Sequence, residues 1–167
     1  MQRKCECEGY EHLELLRKCI DRRIKETKKL RKQFEILAEH ENRLDKLLRC
    51  EACGQYWQSS RAWNFGNKEY QFKVPEIEIA EWLSEPYVRP DQMLIHSAIM
   101  QDYFERNTFA ETDNECRAEG CNLRAIKLSV FCTVHHIEAL QRAGALPRDP
   151  KGRGFLPYHS AGASNDV

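Results

Sequence analysis

Between Glu11 and Arg49 the chain holds neither proline nor glycine, and its apolar residues recur on a seven-residue register. Leu13, Ile20, Phe34 and Leu48 share one position of that register, interrupted by Thr27 and Glu41; Leu16, Leu30, Leu37 and Leu44 share the other, interrupted by Arg23. Eight apolar residues in those eleven positions trace a coiled-coil seam. Residues 1–49 are therefore expected to carry a long helix, ~58 Å if straight at 1.5 Å per residue. A rod of that length needs cover along its seam. An antiparallel homodimer would supply it, as would a helical hairpin folding back between Lys25 and Lys29. The hairpin has no Gly, Pro or Asn for its turn, which favours the single long helix. A third arrangement makes the polar stretch 21–33 the solvated face of a helix lying on its own domain.

The pattern changes after Gly54, where QYWQSSRAWNFGNKEYQFKVP brings aromatics and turn residues. Tyr70, Phe72 and Val74 alternate with Glu69, Gln71 and Lys73, and Asn64, Gly66 and Asn67 offer a turn, so a β-hairpin is expected. Tyr56, Trp57, Trp63 and Phe65 read as the filling of a small sheet's core; a base-stacking platform would bring more Lys and Arg alongside. Pro75 opens a short helix and Pro90 a longer one, whose Ile95, Ile99 and Tyr103 form an apolar stripe beside His96. The last stretch from Leu146 is rich in Pro, Gly and small residues and is expected to be a flexible tail. The fold class expected is α+β, a long N-terminal coiled-coil-like helix followed by a small zinc-braced β-hairpin and helix domain. Its parts are 1–49, 50–110 with the hairpin and two helices, 111–146, and the tail 147–167.

Charge adds an asymmetry that the net value of zero conceals. Residues 1–50 carry 14 Lys and Arg against 10 Asp and Glu, residues 51–115 carry 5 against 12, and residues 116–167 carry 7 against 4. An acidic middle suits a partner with a positive face, and basic flanks suit phosphate. The opening residues contain no apolar core of signal-peptide length and the chain no run of ~18 apolar residues, so a cytoplasmic, non-membrane protein is expected. Eight cysteines in a reducing compartment read as metal ligands and buried thiols before disulfides.

Two cysteine groups carry candidate chemistry. In CRAEGCNLRAIKLSVFCTVHH, Cys116 and Cys121 enclose four residues, Cys132 follows after ten more, and His135 after a further two. Two ligands on a turn and two more where a turn enters a helix assemble a tetrahedral Zn2+ site from a short chain. Gly120 supplies the tight backbone of the first loop. Ile126, Leu128 and Val130 alternate, so the spacer is expected to be a strand, and HHIEALQRA a helix ending at Gly144. Either His135 or its neighbour His136 would be the fourth ligand. A second Zn2+ site is expected at Cys50 and Cys53, a knuckle closed by Gly54, with Cys5 and Cys7 as the thiols that complete it. Those four meet within one chain if residues 11–49 fold back, and between two chains if they form an antiparallel pair. Cys19 remains over, as a small buried residue.

The stretch from Cys116 to Gly144 resembles short treble-clef-like zinc modules of phage proteins and of proteins with HNH nuclease domains, a kind of zinc finger. The matching residues are Cys116, Gly120, Cys121, Phe131, Cys132, His135, His136, Arg142 and Gly144. Val130 stands where such modules often place a glycine before the aromatic, and no catalytic Asn and His follow at nuclease spacing. The resemblance implies a zinc-supported fold rather than cleavage of DNA.

A catalytic zinc requires an open coordination position and a general base. No deaminase order of His, Glu and paired Cys occurs, and HHIEAL is not a metalloprotease helix. The expectation is a non-enzymatic, zinc-stabilised protein of bacterial or phage type that binds a protein partner, as an adaptor or immunity protein would. Glu76, Glu78, Glu81 and Glu85 around Trp82 are the candidate partner-binding residues. The alternatives are nucleic-acid binding through Arg117, Arg124, Lys127, Arg142, Arg148, Lys151 and Arg153, and a degenerate HNH-type nuclease using His136.

Overall fold

The computed structural model describes residues 5–158. They form two compact units, one of residues 5–94 with 150–158 and one of Ile95–Asp149.

The first unit is built on an antiparallel sheet in the order β1 (Phe34–His40), β2 (Asp45–Cys50), β3 (Tyr56–Ala62), β4 (Lys68–Lys73). Helix α1 (Arg17–Leu30) precedes it and packs mainly on β4, and a short helix α2 (Ile79–Ser84) follows. β3 and β4 form the hairpin expected from the alternation of Tyr70, Phe72 and Val74, which are all buried, and Gly66 closes the turn in the left-handed region. Ile20, Leu47, Tyr70, Phe72, Trp82 and Val88 sit at the centre of the main core. Trp57 lies in a second cluster with Leu30, Leu48, Cys7 and Cys50, flanked by Tyr10 and Phe34.

The long coiled-coil helix expected over residues 1–49 is not there. The helix stops at Leu30, a 3-10 turn covers Arg31–Gln33, and the remaining residues form the β1–β2 hairpin. The seam is nevertheless buried along α1: Ile20, Arg23, Thr27 and Leu30 all face inward. What covers them is a sheet, not a second helix. Arg23 is accommodated there because one guanidinium N–H donates to the Gln71 carbonyl at 3.1 Å and its cation lies over the Tyr10 and Trp57 rings. Beyond Leu30, Phe34, Ile36 and Ala38 alternate with Glu35 and Glu39, a period of two interrupted by a bulge at Leu37. The turn lies at Glu41–Leu44, where Leu44 takes a positive φ and stays 61% exposed. With the coiled coil goes the reason for an antiparallel homodimer.

The chain after Leu146 was expected to be a flexible tail. Phe155 and Tyr158 instead lie in the main core, with Phe155 edge-on to Tyr87, and Arg153 bonds through its backbone to Pro86 and Val88. Two aromatic side chains outweigh the turn-forming composition around them. The expectation for residues 159–167 lies outside the described residues.

In the second unit, the later turns of α3 (Pro90–Arg106) are followed by the ribbon β5 (Glu111–Glu115) and β6 (Arg124–Ile126) and by α4 (Thr133–Arg142). The strand expected across Ile126, Leu128 and Val130 ends at Ile126. The chain then turns, with Leu128 at positive φ and its side chain wholly exposed, so the alternation there has no buried face to serve. Among the described residues no helix is long and apolar enough to cross a membrane.

Candidate metal centres

Each unit gathers four ligand atoms, those of a set lying within 4.8 Å of one another, and each set could hold a metal ion. In the first unit the β1–β2 hairpin ends at Cys50, and a turn returns the chain to Gln55. Gly54, at φ +77°, donates its N–H to the Cys50 carbonyl at 2.9 Å, which folds Cys53 back beside Cys50. The N-terminal segment lays Cys5 and Cys7 against this knuckle. It is held by the Lys29–Glu6 ion pair at 2.9 Å and by the edge-on contact of Tyr10 with Trp57. Cys5 Sγ lies 3.7 Å from Cys50 Sγ and 3.2 Å from Cys53 Sγ, and the Cys7 N–H donates to Cys5 Sγ at 3.2 Å. All four come from one chain, so the site needs no second copy.

In the second unit Gly120, at φ +75°, turns the loop that sets Cys121 near Cys116, and the Cys121 N–H bonds to the Ala118 carbonyl. Cys132 is the N-cap residue of α4. Residues three apart on a helix face the same way, so His135 points back at the thiols. Its Nδ1 lies 3.4 Å from Cys116 Sγ and 3.3 Å from Cys132 Sγ, while Cys121 and Cys132 Sγ are 3.9 Å apart. His136 is not part of the set: its Nε2 lies 3.0 Å from the Tyr103 hydroxyl. The fourth potential donor of this set is therefore His135.

These separations fit the donor sets. Tetrahedral bonds of ~2.3 Å to sulfur and ~2.0 Å to nitrogen place sulfurs about 3.8 Å apart, and a sulfur and a nitrogen about 3.5 Å apart. Most of the observed pairs come within a few tenths of those edges, and Cys5–Cys53 is the compressed exception. Thiolate and imidazole donors select soft or borderline ions over magnesium or calcium. Each set also contains a thiol disposed to ionise. Burial opposes ionisation of Cys50, but the N–H groups of Cys53 and Ala52 and the neighbouring thiols outweigh it and bring it down to about 7. For Cys116 burial is likewise outweighed, by the N–H groups of Cys132 and Ala118 and by His135, and the thiol comes down to about 6. Burial and the adjoining thiols push Cys7 well up. A bound cation reverses that, because coordination removes the thiol proton.

The candidate partner-binding residues divide. Glu76, Glu78, Glu81 and Glu85 are all exposed, with Ile79 and Leu83 showing about two-fifths of their surface beside them. No ion pair joins these four glutamates to a basic side chain among the described residues. Trp82 is wholly buried, which corrects its assignment to a docking face. Its indole N–H donates to Gln58 Oε1 at 2.8 Å. Gln58 also accepts from the Tyr87 N–H and donates to the Tyr87 carbonyl, both at 3.0 Å. This buried amide, with Ile77 and Trp82, turns the glutamates outward. Gln58 was missed in the sequence because an isolated glutamine within a strand carries no pattern of its own.

No protein family, curated protein or solved structure matches this chain.

Proposed function

We propose that both four-ligand sets hold structural Zn2+ and that the chain is a non-enzymatic binding protein, its exposed acidic segment engaging a protein partner with a basic face. The observation carrying this reading is that each set is complete: four soft donors turned toward one another, with no fifth His, Cys, Asp or Glu joining either among the described residues. A closed tetrahedron braces a fold, whereas catalysis needs a vacant position and a base. His136, the candidate base beside His135 in the sequence, is engaged by Tyr103. The likeness of the second set to treble-clef-like modules agrees with a supporting role.

A protein partner is favoured over nucleic acid by charge. Ile95–Asp149, which contains the second set, carries eight acidic side chains against six basic ones, a poor match to a phosphate backbone. Glu76, Glu78, Glu81 and Glu85 are instead free to meet a cationic surface, with Ile79 and Leu83 as apolar contacts between them. Elemental analysis of purified protein is expected to find two zinc ions per chain. Reversing the four glutamates to lysine is expected to abolish copurification of a basic protein held at fixed stoichiometry, while leaving zinc content and thermal unfolding unchanged. Duplex DNA binding that falls steeply with salt, or metal-dependent nicking lost in His136→Ala, would replace this reading.

A further inference from the structure

The two centres differ in their exposure to oxidants, and we infer that the Cys5–Cys53 pair is an oxidation site whose disulfide ejects the first metal ion while the second is retained. The inference rests on the zinc reading of both clusters. Cys53 is the one exposed thiol of the eight, and Cys5 beside it is half-buried. Their sulfurs are 3.2 Å apart, closer than the edge of a zinc tetrahedron and closer than Cys121 and Cys132 at 3.9 Å. A groove of about 530 Å³, lined in part by Cys7, Cys53, Gly54, Tyr56 and Lys73, gives small solutes a route to this side of the cluster. In the second centre a histidine replaces one thiolate, Cys116 and Cys132 are buried, and Cys121 is half-buried. A bound ion would hold every ligating sulfur as thiolate in both centres, so access decides which oxidises first, and only the first centre offers an exposed sulfur beside a half-buried one.

The oxidant is a hydroperoxide, and hydrogen peroxide serves as the probe. Cys53 thiolate attacks one peroxide oxygen, the O–O bond breaks, and hydroxide leaves, giving Cys53 sulfenic acid. Cys5 thiolate then attacks the Cys53 sulfur, the S–S bond forms and a second hydroxide departs. Two protons from solvent convert the hydroxides to water, and the sulfur pair has supplied two electrons to the peroxide. Only Cys7 and Cys50 then remain as ligands, and two thiolates do not retain the ion against a chelator.

The test uses the full chain with its zinc content measured first. Hydrogen peroxide is added in substoichiometric steps with a chromogenic zinc chelator present, alongside a count of free thiols and tandem mass spectrometry of the digest. One zinc is expected to appear for every two thiols lost, levelling near one ion per chain, with Cys5–Cys53 as the first disulfide. The digest of the wild-type protein identifies the pair without a variant, and Cys5→Ser is expected to slow zinc release at least fivefold. Release of both ions together, first oxidation at Cys116, Cys121 or Cys132, or no release from a two-zinc protein would overturn the inference while leaving the zinc reading intact. Absence of zinc before peroxide is added would overturn both.

Discussion

Trp82 decides whether the docking surface proposed for the acidic segment would rest on the core or include its own aromatic anchor. Its side chain is wholly buried and its N–H donates to Gln58 Oε1 at 2.8 Å. Truncation to alanine removes on the order of 200 Å² of buried surface, about 5 kcal/mol at 25 cal/mol per Å². It also removes one buried hydrogen bond of about 1 kcal/mol. Partial collapse of the site and residual burial in the unfolded chain reduce the sum, and measured costs of such truncations run at ~3–5 kcal/mol. Trp82→Phe keeps most of the area and loses only the bond, and Gln58 Oε1 retains the Tyr87 N–H at 3.0 Å, so its cost is about 1 kcal/mol. At a urea slope of ~2 kcal/mol per molar, the midpoint should fall by roughly 2 M for alanine and about 0.5 M for phenylalanine. Far-UV circular dichroism reads this without depending on the indole removed. An alanine variant unfolding within 0.3 M (about 0.6 kcal/mol) of wild type would refute the burial argument and return Trp82 to the surface.

Asp45 is fully buried between Arg89, 2.8 Å from Oδ1, and Arg43, 3.0 Å from Oδ2. Asp45→Ala strands two partly buried guanidinium groups and should cost ~3–5 kcal/mol in urea unfolding, whereas Glu39→Ala, which breaks the exposed pair with Lys46, should cost under ~1 kcal/mol; equal effects would contradict the assignment. Burial pushes the Glu69 carboxyl up, but the Ser59 hydroxyl and Arg31 outweigh it, so its folded value lies below the usual range. Such a group stabilises the fold above its unfolded value near 4.5 and loses that contribution as pH falls through its folded value, so Glu69→Gln should flatten the decline in stability below about pH 4.5; an unchanged acid limb would count against the contact. At Gly152, with φ +134°, an added Cβ would meet the Pro86 carbonyl and Val88 backbone at 2.7 Å. Gly152→Ala should therefore destabilise by at least ~1–3 kcal/mol and hasten proteolysis after Leu146, and a neutral result would mean that this segment is not docked.

Both the success and the failure of the heptad register have a physical basis. Over α1 the spacing marks the side that is buried, because Ile20, Arg23, Thr27 and Leu30 recur at helical period whatever lies opposite. Periodicity identifies a face and says nothing of its partner. Absence of proline and glycine suits a continuous helix, yet strands tolerate that absence equally well. The Phe34, Ile36, Ala38 alternation was present but obscured by Leu37 at the bulge, where two inward-tending residues follow one another as they do on a helix. Asn42, inside the Glu41–Leu44 turn, was the available breaker signal.

The candidate metal ligands were more legible than the fold because their chemistry restricts them individually. A thiolate set must converge whichever elements deliver it, so paired spacing with glycine at the turn marks Cys116, Cys121 and Cys132 without knowledge of the strand between them, whereas the choice of His135 over His136 depends on how α4 is turned. That strand proved to be three residues long, with no consequence for the cluster. The first set turned on a question that local spacing could not answer, whether Cys5 and Cys7 reach Cys50 within one chain, since that depends on the route of residues 11–49. The hairpin of β1 and β2 answers it: the same turn that replaces the long helix brings Cys50 back to Cys5 and Cys7 within one chain. The dependence also runs the other way: if metal at the first centre joins the N-terminal segment to the end of β2, removing it should release Cys7 and Tyr10 from Trp57 before the rest of the sheet yields. Trp57 emission should then shift to the red at chelator concentrations that leave the far-UV signal of the sheet intact, in a Trp63→Phe background that removes the exposed indole. Simultaneous loss of both signals would mean that the first centre supports the whole sheet rather than its N-terminal cover.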